Sequence, residues 1–192
     1  MTRNGISVNP LSPIIGAEID GVDLSKPLGN HTFQKIRDML IAHQVIFFRD
    51  QEINLLQQKA FGQLFGPLHI HPAAPPTYGD SEVKTIYADE KSVGVPGDKW
   101  HTDVSADEEP PMASILHLRQ VPREGGDTLF ASMYAAYEAL SEEMKSFLSN
   151  LNAWHSAEKR HKARYGRHGK PRDGINAYPG TASRYTDPSY NR

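Results

Sequence analysis

The sequence contains no cysteine. Disulfides, thiolate metal sites and cysteine nucleophiles are thereby excluded, and the absence fits a reducing cytosol. Strong net charge is lacking too. The 21 Lys and Arg stand against 23 Asp and Glu, a formal charge of −2, so nothing draws the chain as a whole to nucleic acid or to a membrane surface. No apolar run is long enough to span a bilayer, and Met1–Gly5 leads into no signal-peptide core. The expectations are a cytoplasmic protein with no nucleic-acid and no membrane partner. Internal repeats are absent as well.

What is present is enough for one domain: 192 residues can bury a real core. The charge is unevenly placed. From Glu158 to Arg192 nine Lys and Arg face three Asp and Glu, which makes this end +6 and the rest of the chain −8. After His161 the only large aliphatic residue is Ile175. Such a segment cannot bury enough apolar surface to offset its ordering entropy. Residues 158–192 are therefore expected to form a basic segment, mobile and lid-like or disordered, following a folded body over 1–157. Tyrosines interleave with the charges there, a pattern also seen in nucleic-acid contacts, but a solvated end or a lid that attracts anions ranks ahead.

Strands are expected at Ile6–Val8 and Ile14–Ile19, and as a short apolar run at Val45–Phe48. Further strands are expected at Val83–Tyr87, Ala113–Leu118, Asp127–Ala131 and Asn152–Ser156. A helix capped by Asn30 should run to about His43 with Phe33, Ile36, Leu40 and Ile41 inward. A second should run from about Asn54 to Leu64, with Leu56, Ala60, Phe61 and Leu64 at helical spacing and Gly66-Pro67 as its stop. Two more follow near Met133–Leu140 and Ser141–Leu151, the latter with a serine cap and acid in its first turn. Strands on both sides of a central loop, with helices before and after, give an α+β class with a mainly antiparallel sheet.

That central loop holds Lys99-Trp100-His101-Thr102-Asp103, the only His-x-Asp in the chain. Residues two apart on an extended segment share a face, so one imidazole and one carboxylate can grip one ion. These donor types suit non-haem Fe(II) sites with two His and one carboxylate. Taken alone the triplet is weak, and an exposed polar loop explains it as well. His69-Ile70-His71 is a second same-face pair. Its members can equally be loop residues that hold backbone carbonyls, the preferred reading for His69. Trp100 is expected to be packing support for the loop, and His155 to be a structural residue satisfied by backbone.

Six stretches in order change the weighing. They are Ile15–Ile19, His43-Gln44-Val45-Ile46-Phe47-Phe48-Arg49-Asp50-Gln51, Phe65–His69, Trp100–Ser105, Pro110-Pro111, and Gly125-Gly126-Asp127-Thr128-Leu129-Phe130 with Ala135–Leu140. Together they resemble the TauD/TfdA (taurine dioxygenase) family of Fe(II)/2-oxoglutarate-dependent oxygenases, from about Ile6 to about His155. The resemblance implies a double-stranded β-helix, or jelly-roll barrel. It implies Fe(II) as metal and 2-oxoglutarate as co-substrate, and O2 with a small anionic organic substrate as partners. The implied reaction hydroxylates a small organic acid, a taurine-like sulfonate or a relative, and yields succinate and CO2. By motif match His101 and Asp103 are metal ligands, Thr128 bonds 2-oxoglutarate and His71 lines the substrate pocket. No catalytic residue is expected beyond the metal ligands, and self-association is left open.

The family's third ligand, a downstream His, and the Arg that pairs with 2-oxoglutarate are not matched before Arg192. The expectation is an N-terminal portion of such an oxygenase, with the late strands missing and iron held weakly by two ligands. His161 and His168 are poor replacements, since they lie outside any strand context. The pocket departs too. An aromatic often found after the motif is Ala106 here, and the substrate-side Tyr and Asn positions are Ala74 and Gly97. Taurine itself is thereby in doubt, and a larger or different acid fits as well. Two alternatives stay open: a non-catalytic ligand-binding or interaction protein derived from the fold, and a cupin-like metal protein using His69, His71 and His101.

Overall fold

The computed structural model describes residues 5–70, 80–92, 97, 99–107, 109–155 and 183–185. Two compact units divide the chain: residues 1–68 with 115–147, and residues 69–114 with 148–192. The expected pocket residue His71, Ala74, and the candidate replacements His161 and His168 lie outside the described residues. Among the described residues no helix is long and apolar enough to cross a membrane.

The first unit is built on a short mixed sheet in the order β1-β2-β3. Strand β1 (Ser7–Pro10) pairs antiparallel with β2 (Ala17–Asp20), Val8 opposite Ile19. Strand β3 (Ile46–Phe47) lies parallel to β2, Ala17 opposite Ile46. Alternation decides the faces: Ala17 and Ile19 are buried while Asp20 is exposed. The expected run Val45–Phe48 thus contributes two residues to a ladder and stays half-buried.

Helix α1 (Asn30–His43) has the expected length, but its cap is Gly29, with no side-chain cap bond. Asn30 is already helical. Ile36 is fully buried, Phe33 and Leu40 are half-buried, and Ile41 is 59% exposed. The inward stripe therefore follows positions 33, 36 and 40, and Ile41 falls off it. Helix α2 (Leu55–Gln63) starts at an Asn54 capping box with Gln57, each side chain bonding the other's backbone N–H. Phe61 and Gly62 are its buried residues, while Leu56, Ala60 and Leu64 face outward.

The core joins Leu24, Ile36, Ile53 and Phe61, with Val22, Leu28, Ile46, Phe48 and Phe65 packed around it. Its aromatic rings meet edge to face: Phe33–Phe65 at 4.9 Å, Phe61–Phe65 at 5.4 Å and Phe48–Phe61 at 5.8 Å between centroids. The Arg49-Asp50-Gln51 stretch earns its place here structurally. Gln51 accepts from the Leu24 N–H at 2.8 Å and donates to the carbonyls of Val22 and Arg49 at 3.1 and 2.9 Å. Arg49 Nε reaches Glu18 on β2 at 3.0 Å. One side chain thus ties the exit of β3 to the loop after β2.

Later in this unit come α3 (Met133–Glu138), capped by Ser132, and α4 (Glu142–Leu148). Ser141 Oγ accepts from the Met144 N–H at 3.3 Å, and Glu142 and Glu143 fill the first turn, as expected. Lys145 joins the two helices through Glu138 at 2.9 Å and Glu142 at 3.2 Å. These bonds raise the lysine's pKa, the Glu138 bond most, and the hydrogen bonds at the helix start lower that of Glu143.

The second unit carries β4 (Ala153–His155), paired antiparallel with β5 (Ser183–Tyr185), Trp154 opposite Arg184. Strand β5 falls within the basic segment. The expected strands at Val83–Tyr87, Ala113–Leu118 and Asp127–Ala131 carry no strand assignment. A strand needs a partner ladder, and among the described residues these three have none. The described part is thus α+β with two small open sheets and no closed barrel.

Candidate metal centre

His101 and Asp103 sit where the second unit's chain turns sharply. Residues 103–106 form a turn, closed by a bond from the Asp107 N–H to the Val104 carbonyl at 3.0 Å. Val104 adopts φ 51°. A β-branched side chain in the left-handed region is a genuine outlier, and such residues cost about 1–3 kcal/mol and gather at functional sites. Asp103 is the first residue of this turn.

The two side chains converge. His101 Nε2 lies 3.4 Å from Asp103 Oδ1. His101 Nδ1 lies 2.7 Å from the Lys99 carbonyl. A carbonyl only accepts, so Nδ1 carries a proton, and Nε2 is the ring atom turned to the carboxylate. Asp103 Oδ2 accepts from the Ser114 hydroxyl at 2.7 Å, which leaves Oδ1 facing the ring. In a neutral ring Nε2 is an acceptor, and two acceptors then confront one another across 3.4 Å. That arrangement is favourable only with a positive charge between them: a proton, or a metal ion.

The spacing suits the ion. With bonds of about 2.1 Å, donors at a right angle stand about 3.0 Å apart and donors at about 110° stand about 3.4 Å apart. The donor set, one imidazole and one carboxylate, matches two positions of a facial triad. Both side chains are about half exposed, at 45% and 56%, so an ion can reach them from solvent. Among the described residues no third His, Cys, Asp or Glu joins them. The residues present therefore fit a ferrous ion as a partial donor set.

Neighbouring histidines brace the loop. His69 Nε2 lies 2.8 Å from Asp107 Oδ2, and because the carboxylate only accepts, Nε2 is the donor. That nitrogen is engaged with Asp107. Its partner is a carboxylate, whereas a backbone carbonyl was expected. His155 on β4 places Nδ1 3.0 Å from the Ser105 hydroxyl, so a side chain takes part where backbone alone was expected. The two histidines thus hold the far end of the ligand loop from sequence-distant positions. Trp100 is 69% exposed and does not pack beneath the loop as expected. Gly97 stands beside the ring: with φ +91° it is a glycine conformation, and a Cβ built there would come 3.8 Å from His101 Cε1. Thr128 belongs to the first unit and is exposed.

Sequence reasoning missed Ser114, Ser105 and Asp107. Ser105 lies inside the Trp100–Ser105 motif and could have been flagged from it. Ser114, eleven residues beyond Asp103, gives no local signal, because only the fold brings the two together.

Comparison with known proteins identifies the family. The family model for "Taurine catabolism dioxygenase TauD, TfdA family" matches residues 7–186. The chain is 38% identical to an alkylsulfatase of Acinetobacter baylyi, over 80% of this chain and 48% of that protein. It is 38% identical to an alpha-ketoglutarate-dependent sulfate ester dioxygenase of Pseudomonas putida, over 80% of this chain and 50% of that protein. Among solved structures it superposes on a taurine dioxygenase from Burkholderia xenovorans with a TM-score of 0.68 and 38% identity, covering 78% of this chain and 54% of that one. AAD-2, solved with Mn(II) and N-oxalylglycine, aligns at TM-score 0.62 and 26% identity, covering 85% of this chain and 57% of that one. The chain spans about half the length of the relatives it matches. The match over residues 7–186 makes this chain a member of the TauD/TfdA dioxygenase family.

Proposed function

We propose that this chain carries two of the iron-holding residues, His101 and Asp103, of an Fe(II)- and 2-oxoglutarate-dependent dioxygenase of jelly-roll architecture. Its substrate is a small organic sulfonate, a sulfate ester or a related organic acid. The observation that carries the reading is the convergence of His101 Nε2 and Asp103 Oδ1, each with its other polar atom already engaged. When bound, Fe(II) with 2-oxoglutarate supplies the oxidising power for C–H hydroxylation by O2, with succinate and CO2 as co-products. The chain's own part is to hold, orient and admit.

In this reading His101 and Asp103 occupy one side of the ion and leave its other positions open. Thr128 offers a hydroxyl to 2-oxoglutarate, and His71 offers a donor to the anionic head of the substrate. Gly97 brings no side chain to this position beside His101, so the polar contact expected for taurine is missing there and a larger or different acid fits as well. The relatives named for sulfate esters support the same class. O2 is the remaining partner, and the site acts in the cytoplasm.

Anaerobic addition of Fe(II) and 2-oxoglutarate tests this. The expected result is a visible charge-transfer absorption that is lost in His101→Ala and in Asp103→Ala and kept in His69→Ala. A wild-type chain with no such band, or a band that survives Asp103→Ala, contradicts the reading.

A further inference from the structure

We infer that Ser114 is a positioning residue for the metal centre: its hydroxyl fixes the Asp103 carboxylate so that one oxygen alone is offered to the ion. The inference rests on the assignment of His101 and Asp103 as the metal-holding pair. It adds a residue outside that pair.

A carboxylate on a loop can rotate about its last side-chain bond, and either oxygen, or both, can then bind a cation. Asp103 is 56% exposed, so packing alone does not stop that rotation. The Ser114 hydroxyl does. At 2.7 Å from Oδ2 it makes a charge-assisted O–H···O⁻ bond, among the stronger hydrogen bonds a neutral donor can form. The rotation is pinned with Oδ1 toward His101 Nε2, and Oδ2 is withdrawn from coordination. A carboxylate held this way occupies one position on the ion and leaves the neighbouring positions for co-substrate and O2.

The same device serves the partner ligand, where the Lys99 carbonyl holds His101 Nδ1 and directs Nε2. The difference lies in what evolution can alter. A backbone carbonyl is supplied by any residue, whereas the hydroxyl exists only because position 114 is serine. The bond also spans eleven residues, so it joins the segment after Pro110-Pro111 to the ligand turn. Residues of this kind, which orient a metal ligand through its other oxygen, typically change metal affinity about 10–100-fold when removed.

Mn(II) binding to the 192-residue chain, followed by loss of the free-ion electron paramagnetic resonance signal, tests this with Ser114→Ala, Ser114→Thr, Ser114→Val and Asp103→Ala. Threonine and valine share shape and differ by hydroxyl against methyl, so their comparison isolates the hydrogen bond even if the bulk of either disturbs the loop. The expected result is wild-type affinity in Ser114→Thr and a loss of about tenfold or more in Ser114→Ala and Ser114→Val, with far-ultraviolet circular dichroism unchanged. Equal affinity of the threonine and valine variants overturns the role of Ser114. If Asp103→Ala still abolishes binding in that case, the metal pair stands without it. A wild-type chain that binds no Mn(II), or Asp103→Ala binding as wild type, overturns the pair and the inference together.

Discussion

Val104 is the most informative single residue near the candidate metal centre. It holds φ 51° immediately after the carboxylate, where a β-branched residue is strained by about 1–3 kcal/mol. Glycine removes the strain but adds about 0.5–1 kcal/mol of chain entropy to the unfolded state. The expected net effect of Val104→Gly is stabilisation of about 1 kcal/mol, a rise in thermal midpoint of about 2–4 °C by calorimetry. A lower midpoint would show that Val104 is not held under strain in the folded chain. At this scale the sequence was only partly legible. The His-x-Asp spacing pointed to the pair, and His69 stood out as a histidine without showing its carboxylate partner. The strain at Val104 and the hydroxyl of Ser114 left no trace in composition or periodicity, since both arise from how a loop closes in three dimensions.

Among the elements, the helices were the most legible, because a helix is specified by neighbours a few residues away. The capping box at Asn54–Gln57 and the serine start of α4 are local chemistry. The faces were less so: Ile41 and Leu56 have helical spacing, yet they are 59% and 74% exposed, because what covers a face is decided by elements distant in sequence. Short strands β1 and β2 were foreseen in part, since β1 runs on through Asn9 and Pro10 and β2 begins only at Ala17, and a glycine stands at the end of their pairing. Gly21 follows β2 with φ +78°, and a Cβ there would stand 2.6 Å from the Gly5 carbonyl oxygen. Both the backbone angle and the contact with main chain, which cannot swing aside, oppose a side chain. Gly21→Ala is expected to destabilise by about 2 kcal/mol, read as a lower urea midpoint with an unchanged slope. An unmoved midpoint would mean that the β1–β2 pair tolerates a shift at its end.

The molecule as a whole shows where the sequence could not be read by local rules. Ala113–Leu118 and Asp127–Ala131 have strand-like composition, yet Leu118 is 61% and Leu129 71% exposed and neither segment has a ladder partner among the described residues. Composition marks a segment that would suit a sheet, but pairing is a property of two segments. The chain spans about half the length of its relatives, and the family's barrel was an expectation from resemblance that the described sheets do not display. What did carry across the chain was the order of its motifs, which pointed to the TauD/TfdA family, and that family's model matches residues 7–186.

The central claim is that His101 and Asp103 together hold a divalent metal ion. Paramagnetic line broadening in nuclear magnetic resonance reads it most directly, since Mn(II) relaxes nuclei steeply with proximity. On titration of Mn(II) into the chain, the account predicts that the His101 ring signals and the Asp103 amide broaden first, and that Asp103→Ala removes the effect. Broadening that begins at His69, or that falls evenly on all histidines, would contradict it.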